Sequence, residues 1–184
     1  MKLSIKKGNL QIQSKEHKIL IGDLINQPLD QIDIVIGSEI MGAESFKGVV
    51  IDKPGEYEAH EVMVQAQPSK SSNKIDLVSI DVEGVNIIFL RSDAKLPTKK
   101  MLDQLGVNHV LVIKGAQEAS KIRDLVDEFA PQMLIPLSTN AEELLGFSKK
   151  LGISLPSPLK SLSIDYDNFN KDEENQILEI VLFE

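Results

Sequence analysis

The chain changes from strand-like to mixed patterning near residue 90, and this change limits the folds open to it. Up to Leu90 the apolar residues come in short β-branched or alternating runs, which predict strands. From Pro97 onward, amphipathic helical patterns alternate with short apolar runs, and strand patterns return at the end. This order predicts a mixed α/β chain with at least two sheets.

Turn residues separate most of the strands predicted in the first half. Gly8-Asn9 predicts a hairpin turn, and Glu83-Gly84 predicts a turn between two longer strands. Residues 57–66 are expected to form one uninterrupted strand. The remaining strands are expected at residues 3–6, 10–13, 19–21, 32–36, 49–51, 75–82 and 85–90.

The second half predicts three helices that alternate with strands. Pro97-Thr98 opens a helix that Gly106 can end, and residues 117–129 carry one apolar face. Thr139 and Glu142 have the spacing of a capping box before a third helix, which runs toward residue 152. Strands are expected at 109–113, 133–137, 162–166 and 177–183. Since no linker is long enough to separate domains, residues 1–184 are predicted to form one domain.

Composition excludes several classes of function. The 184 residues include no cysteine, which rules out disulfides, thiolate zinc sites and cysteine nucleophiles. Twenty Lys and Arg against 28 Asp and Glu give a net charge of −8, and no basic stripe predicts a nucleic-acid surface. No apolar run approaches the roughly 20 residues that span a bilayer. We therefore expect no membrane segment and a cytoplasmic protein.

The residues that usually carry catalysis form no recognisable motif. No two of the three histidines, His17, His60 and His109, lie within four residues of each other, so no local metal-binding pair exists. We expect His109 to be a partly buried, hydrogen-bonded strand residue and the other two to face solvent. Ser38, in Gly37-Ser38-Glu39, lacks the second glycine of a nucleophile elbow.

One segment points to a known protein group more specifically than the patterns above. Val49-Val50-Ile51-Asp52-Lys53-Pro54-Gly55-Glu56-Tyr57-Glu58 resembles the stretch that marks a group of small prokaryotic metallo-β-lactamase-fold hydrolases. In that group a strand runs into Pro-Gly-Glu-Tyr-Glu and a second strand follows. The resemblance continues in order through residues 33–35, 87–93, 110–115 and 131–138. It implies an αββα sandwich of two mixed β-sheets flanked by helices.

The resemblance also shows where this chain departs from the zinc-binding members of the group. With Ser38 aligned to the serine of the family's first metal loop, the three histidines and the aspartate of that loop are replaced. Two further histidine positions are also occupied by other residues, and Asp93 alone matches a ligand position by type. The replacing residues are Glu39, Met41, Ala43 and Glu44 in the first loop, and Leu90 and Ser138 beyond it. Zinc hydrolysis of the family type is therefore not expected.

Two interpretations of this departure remain open. In the first, the domain is a non-catalytic relative that serves as a scaffold or interaction module. It would hold no cofactor and would bind a protein partner or a second copy of itself. Met41 and Leu90 would then partly fill the former metal cavity. In the second, Glu39, Glu44 and Asp93 hold Mg²⁺ or Mn²⁺ as oxygen ligands and support phosphoester hydrolysis. His109 is the one histidine considered as a replacement ligand from elsewhere in the chain.

Overall fold

In a computed structural model of the chain, two β-sheets pack face to face. The structure describes residues 1–23, 29–38, 40, 46–68, 74–91, 98, 102, 105–115, 119–137, 146, 148–149, 152, 154–169 and 178–184. The apolar β-branched runs form the strands, and the fold is a mixed α/β sandwich, as the sequence predicted.

The first sheet has six strands in the spatial order β12-β1-β2-β3-β4-β5. β1, β2 and β3 form an antiparallel meander, whereas β3, β4 and β5 run parallel to one another. β12 pairs antiparallel with β1 and forms one edge of the sheet. The strands are β1 (Lys2–Lys6), β2 (Asn9–Gln13), β3 (Lys18–Ile21), β4 (Ile34–Ile36), β5 (Val49–Ile51) and β12 (Leu162–Ser163).

The second sheet has seven strands in the order β13-β11-β10-β9-β8-β7-β6. β9, β10, β11 and β13 are parallel, and β6 to β9 are antiparallel neighbours. The strands are β6 (Gly55–Ala59), β7 (Val62–Pro68), β8 (Ile75–Val82), β9 (Val85–Arg91), β10 (Val110–Lys114), β11 (Met133–Leu137) and β13 (Glu179–Ile180).

The main core lies between the two sheets. Alternation along each strand sends one set of side chains inward, so Ile12 and Ile34 of the first sheet share a buried cluster with Ile80, Ile87 and Val112 of the second. Strands that are buried between two sheets, or between a sheet and a helix, are rich in aliphatic residues, which accounts for the composition of the predicted strands.

A helical layer covers the outer face of the second sheet. Helix α1 (Ala119–Phe129) packs Ile122, Leu125 and Phe129 against the sheet, and these positions are the apolar face predicted from the sequence. Among the described helices, none is long and apolar enough to cross a membrane.

Two turns differ from the sequence predictions. The first hairpin turns at Lys7 and Gly8, both with positive φ, and Asn9 is already the first residue of β2. The segment predicted as one strand over 57–66 contains a hairpin, because His60 and Glu61 adopt φ of 52° and 60° and form a two-residue turn. Neither residue is a usual turn former, so composition gave no signal for this break.

The C-terminal strands are shorter than predicted. The strand expected at 162–166 ends at Ser163, and a 3₁₀ turn at Tyr166–Asn168 follows. Asp165 caps this turn through a reciprocal pair of hydrogen bonds with Asn168, which favours a turn over further extension. The predicted helices over 97–106 and 139–152 fall largely outside the described residues.

Candidate functional site

The parallel strands of both sheets end at the same edge of the sandwich, called here the carboxyl edge. Asp23, just after β3, contacts Arg91 at the end of β9 and Lys114 at the end of β10. In α/β sheets, ligand sites form beyond the carboxyl ends of parallel strands. The opposite edge, at which these strands begin, is called the amino edge.

An ionic cluster joins the two sheets at the carboxyl edge. The Asp23 carboxylate accepts hydrogen bonds from the Arg91 guanidinium and, at 2.9 Å, from Lys114 Nζ. Burial alone would raise the pKa of the Asp23 carboxyl. Hydrogen bonding and charge from Lys114 and then Arg91 outweigh burial and hold that pKa below its usual value. Asp23 is therefore ionised at neutral pH.

Asn9 completes this cluster from beneath. Asn9 is only 1% exposed. Its Oδ1 accepts hydrogen bonds from Asp23 N and from Lys114 Nζ, both at 3.0 Å. Asn9 Nδ2 donates to the Asp23 carbonyl at 3.0 Å. Gly22 makes room for this amide, since a Cβ there would lie 2.1 Å from Asn9 Oδ1. The cluster therefore depends on a tight, specific backbone path after β3.

A narrow pocket opens beside the cluster, between the ends of β4, β8 and β9. Ser38, Asp76 and Arg91 line it together with apolar side chains. Ser38 Oγ accepts from Ile75 N at 2.5 Å and donates to Ile75 O at 3.3 Å, which ties the end of β4 to the start of β8. Asp76 is only 9% exposed, and no group in the described part of the chain donates a hydrogen bond to its carboxylate.

Most of the candidates named from the sequence lie outside the described residues. This applies to Glu39, Met41, Ala43, Glu44, Asp93 and Ser138. Leu90 is described and is 1% exposed, but it packs in the outer cluster with Leu77 and Ile113, beneath the helical layer. That Leu90 partly fills the former metal cavity stays a prediction. Alternation along β9 sends Phe89 and Arg91 inward.

All three histidines lie at the amino edge. His109 precedes β10 and is 8% exposed, and its Nδ1 accepts a hydrogen bond from Asn86 N at 2.9 Å. This contact confirms the buried, hydrogen-bonded role predicted for His109. His17 precedes β3 and is half-buried, with its ring 4.5 Å from that of the exposed His60 in the β6–β7 turn.

Burial lowers the pKa of His109, and the charge of Asp81 offsets part of this effect. The imidazole also contacts the rings of Tyr166 and Phe169. These packing contacts and the hydrogen bond from Asn86 account for the position of His109 without a ligand role.

A wider groove of about 880 Å³ lies at the amino edge. Its volume falls in the range of small-molecule pockets. Its lining is mixed, with Lys2 and Lys15 close to Glu83, Asp165 and Asp167. The groove thus favours neither anionic nor cationic ligands.

The sequence analysis did not predict a site from the residues that the fold brings together at the carboxyl edge. Arg91 and Lys114 each end an apolar run, and this placement at the ends of parallel strands was a usable signal. Asp76 interrupts a buried strand, which is also unusual for a carboxylate. Asp23 and Asn9 carried no comparable signal, because their pairing depends on how β2, β3 and β10 come together.

The comparisons with solved structures bear on the fold. The chain is similar to a candidate Zn-dependent hydrolase of the metallo-β-lactamase superfamily from Thermotoga maritima, with a TM-score of 0.75 and 16% identity. That match covers 100% of this chain and 98% of the other. The chain has the metallo-β-lactamase fold. No protein-family model matches the sequence, and no curated protein matches it at a significant level.

Two further solved structures are similar to this chain at lower TM-scores. A candidate metal-dependent hydrolase from Parabacteroides distasonis gives a TM-score of 0.58 at 12% identity, over 98% of this chain and 92% of that one. The metallo-β-lactamase fold protein YhfI from Bacillus subtilis gives 0.53 at 11% identity, over 77% and 84% of the two chains.

The side-chain donors in the described residues do not fit the zinc on which the Thermotoga maritima protein is described as depending. Zinc takes histidine, cysteine and carboxylate ligands, and catalytic sites usually include several imidazoles. Within the described ranges, no three such side chains come together. At the carboxyl edge the structure instead brings two cations, Arg91 and Lys114, onto the carboxylate of Asp23.

Proposed function

We propose that this chain is a non-catalytic metallo-β-lactamase-like domain that acts as an interaction or scaffold module. The observation that carries the proposal is the separation of its histidines from the carboxyl edge. With no cysteine in the sequence and all three histidines at the amino edge, the chain has no thiolate or imidazole ligands for zinc at the carboxyl edge.

The charges at the carboxyl edge support the same proposal. A divalent cation close to Arg91 and Lys114 would be repelled by both and would compete with them for Asp23. The hydrogen bonds from Arg91 and Lys114 to Asp23 also link the ends of β3, β9 and β10, so the ionic cluster has a structural role.

Metal analysis tests the proposal. The purified protein would be measured by elemental analysis as isolated and after dialysis against Zn²⁺, Mn²⁺ or Mg²⁺, with an EDTA-treated sample as the control. We expect substoichiometric metal throughout. We also expect no change in melting temperature, whereas a ligand at 100 times its Kd stabilises the folded state by about 2.7 kcal/mol. One tightly held equivalent would contradict the proposal.

A second candidate function is a Mg²⁺- or Mn²⁺-dependent phosphoesterase, and Asp76 favours it. This buried carboxylate lines the pocket at the carboxyl edge and adds an observed oxygen donor to the sequence candidates Glu39, Glu44 and Asp93. The test is hydrolysis of p-nitrophenyl phosphate with either metal, in the wild type and in Asp76→Asn and Asp93→Asn. Exposed Glu128→Gln is the control, and activity lost only in the Asp76 and Asp93 variants would favour this candidate.

The module is further proposed to bind a protein partner or a second copy of itself. Sheet edges require pairing, covering or charge to prevent uncontrolled association. Multi-angle light scattering across a wide concentration range distinguishes the two. A constant monomer mass would exclude the homo-oligomer and leave the protein partner.

A further inference from the structure

In the part of the chain that the structure describes, the outermost strand of the second sheet has one side without a partner strand. β6 pairs with β7 and forms the end of the strand order, and no other described strand lies beside it. Within the described residues, the side chains of Glu56 and Glu58 form no hydrogen bond or ion pair. Glu56 and Glu58 are exposed, while Tyr57 and Ala59 are half-buried.

The β6–β7 turn determines which backbone groups face the open side. A two-residue turn with positive φ at His60 and Glu61 makes Ala59 and Val62 a hydrogen-bonded pair. Hydrogen-bonded and non-hydrogen-bonded pairs alternate along an antiparallel ladder. The N–H and C=O groups of Glu56 and Glu58 therefore point away from β7, toward the open side.

The side chains of these two residues set the charge of the edge. Both lie on the outer face of the sheet, where register brings Glu56 opposite Gln65 and Glu58 opposite Met63. Met63 is 53% exposed and offers aliphatic surface next to the Glu58 carboxylate. Tyr57 lies on the inner face, and its hydroxyl donates to Lys53 O at 2.9 Å, which holds the approach to β6 in place.

A second copy of the chain does not suit this edge. Antiparallel pairing of β6 with itself about Tyr57 would put Glu56 opposite Glu58 of the other copy, twice over. Directly opposed like charges destabilise a sheet. An incoming strand with basic side chains at alternate positions would instead put a cation opposite each glutamate.

We propose that β6 binds an extended partner segment that carries Lys or Arg at alternate positions. The segment adds a strand to the second sheet through the free backbone groups of Glu56 and Glu58. Its basic side chains pair with the two carboxylates, and an aliphatic lysine stem packs on Met63. The inference rests on the proposed interaction role, but metal content and peptide binding are measured separately, so either can fail alone.

The test is the binding of a fluorescein-labelled peptide of alternating Lys and Val to the full chain, followed by fluorescence anisotropy. A Glu/Val peptide of the same length and a Lys/Val peptide with N-methylated backbone are the matched ligands. We expect the Lys/Val peptide to bind and the other two to fail. Absence of Lys/Val binding, or equal binding of the N-methylated peptide, would overturn strand addition.

Variants locate the site. The double variant Glu56→Gln/Glu58→Gln should weaken Lys/Val binding roughly two- to thirtyfold, since each of the two cross-strand charge pairs contributes about 0.2–1 kcal/mol. Asp127→Asn/Glu128→Gln makes the same change in charge on the exposed side of α1 and should leave binding unchanged. Equal weakening by both double variants would reduce the effect to net charge and overturn the assignment to β6.

Amide hydrogen exchange gives a second readout. In the complex, exchange at Glu56 and Glu58 should slow, because their N–H groups gain acceptors from the peptide. Exchange at Tyr57, whose N–H already faces β7, should change little. Slowing at Tyr57 without slowing at Glu56 and Glu58 would contradict the proposed pairing.

Discussion

At the scale of single residues, Asp23 connects three strand ends that are distant in sequence. Its carboxylate accepts hydrogen bonds from Arg91 of β9 and Lys114 of β10, and its backbone N–H donates to the side chain of Asn9 of β2. Removing the charge leaves two partly buried cations short of an acceptor. Charge-assisted hydrogen bonds of this kind contribute more than neutral ones.

Asp23→Asn is expected to lower the free energy of unfolding by about 1–3 kcal/mol at pH 7. Because the native pKa of Asp23 is lowered, its stabilisation is present above the unfolded pKa and is lost as pH falls through the native pKa. Urea unfolding at pH 7 and again near pH 3 measures both effects. Exposed Asp52→Asn is the control, and an equal loss in the two variants would contradict this role.

His109 should make the protein less stable in mild acid. Its native pKa lies below the ordinary value of 6.5, so the unfolded chain takes up a proton first. The free energy of unfolding should then fall as the pH drops below about 6.5. Protonation would also put a proton on Nδ1, which now accepts from Asn86 N.

The variant His109→Asn tests this expectation, since its side-chain oxygen can still accept from Asn86 N and does not titrate. Thermal melts from pH 7.5 to 5 should show a smaller decrease for the variant than for the wild type. His17 and His60 are present in both proteins and cancel in the difference. Parallel curves would show that His109 does not titrate in this range.

At the scale of elements, the sequence predicted strands better than the turns between them. Alternation in β1 and β2 and longer apolar runs in β8 and β9 mark these strands, because each buries one or both faces in the sandwich. The β6–β7 turn escaped prediction because its left-handed conformations are imposed on His60 and Glu61 by the paired strands. The sheet stabilises that turn despite its sequence.

Glu61→Gly should therefore stabilise the β6–β7 hairpin. Glu61 has φ of 60°, a region that costs most residues free energy and that glycine adopts readily. We expect the free energy of unfolding to rise by about 0.5–1 kcal/mol. Glu61→Ala removes the same carboxylate and keeps the strained conformation, so it should give no gain in the same urea titration.

The candidate site was harder to predict than the strands. The resemblance to a family pattern pointed to Glu39, Glu44 and Asp93, all outside the described residues. The observed cluster of Asn9, Asp23 and their two cationic partners depends on long-range assembly of two sheets. Local spacing contains no information on such contacts, since the partners are up to 105 residues apart.

At the scale of the whole molecule, the last 26 residues complete both sheets. β12 pairs with β1, and β13 pairs with β11. The same region contributes Ile164, Phe169 and Val181 to the core between the sheets. The two sheets therefore share one C-terminal closure.

Deletion of residues 159–184 is expected to abolish cooperative folding. Losing a large buried side chain costs about 2–5 kcal/mol, and several are lost here, against a total stability of about 5–15 kcal/mol for a typical domain. Thermal melts followed by circular dichroism compare the truncated chain with the full chain. A sharp transition in the truncated chain would contradict this closure.

The pairing of β12 with β1 also affects how the protein forms during synthesis. Leu3 is made almost 160 residues before its partner Leu162. Until then the edge of β1 stays unpaired, and contacts between such distant residues slow folding. The nascent chain thus carries an exposed strand edge while the residues between the two partners are synthesised, and such an edge is open to association with other chains during that time.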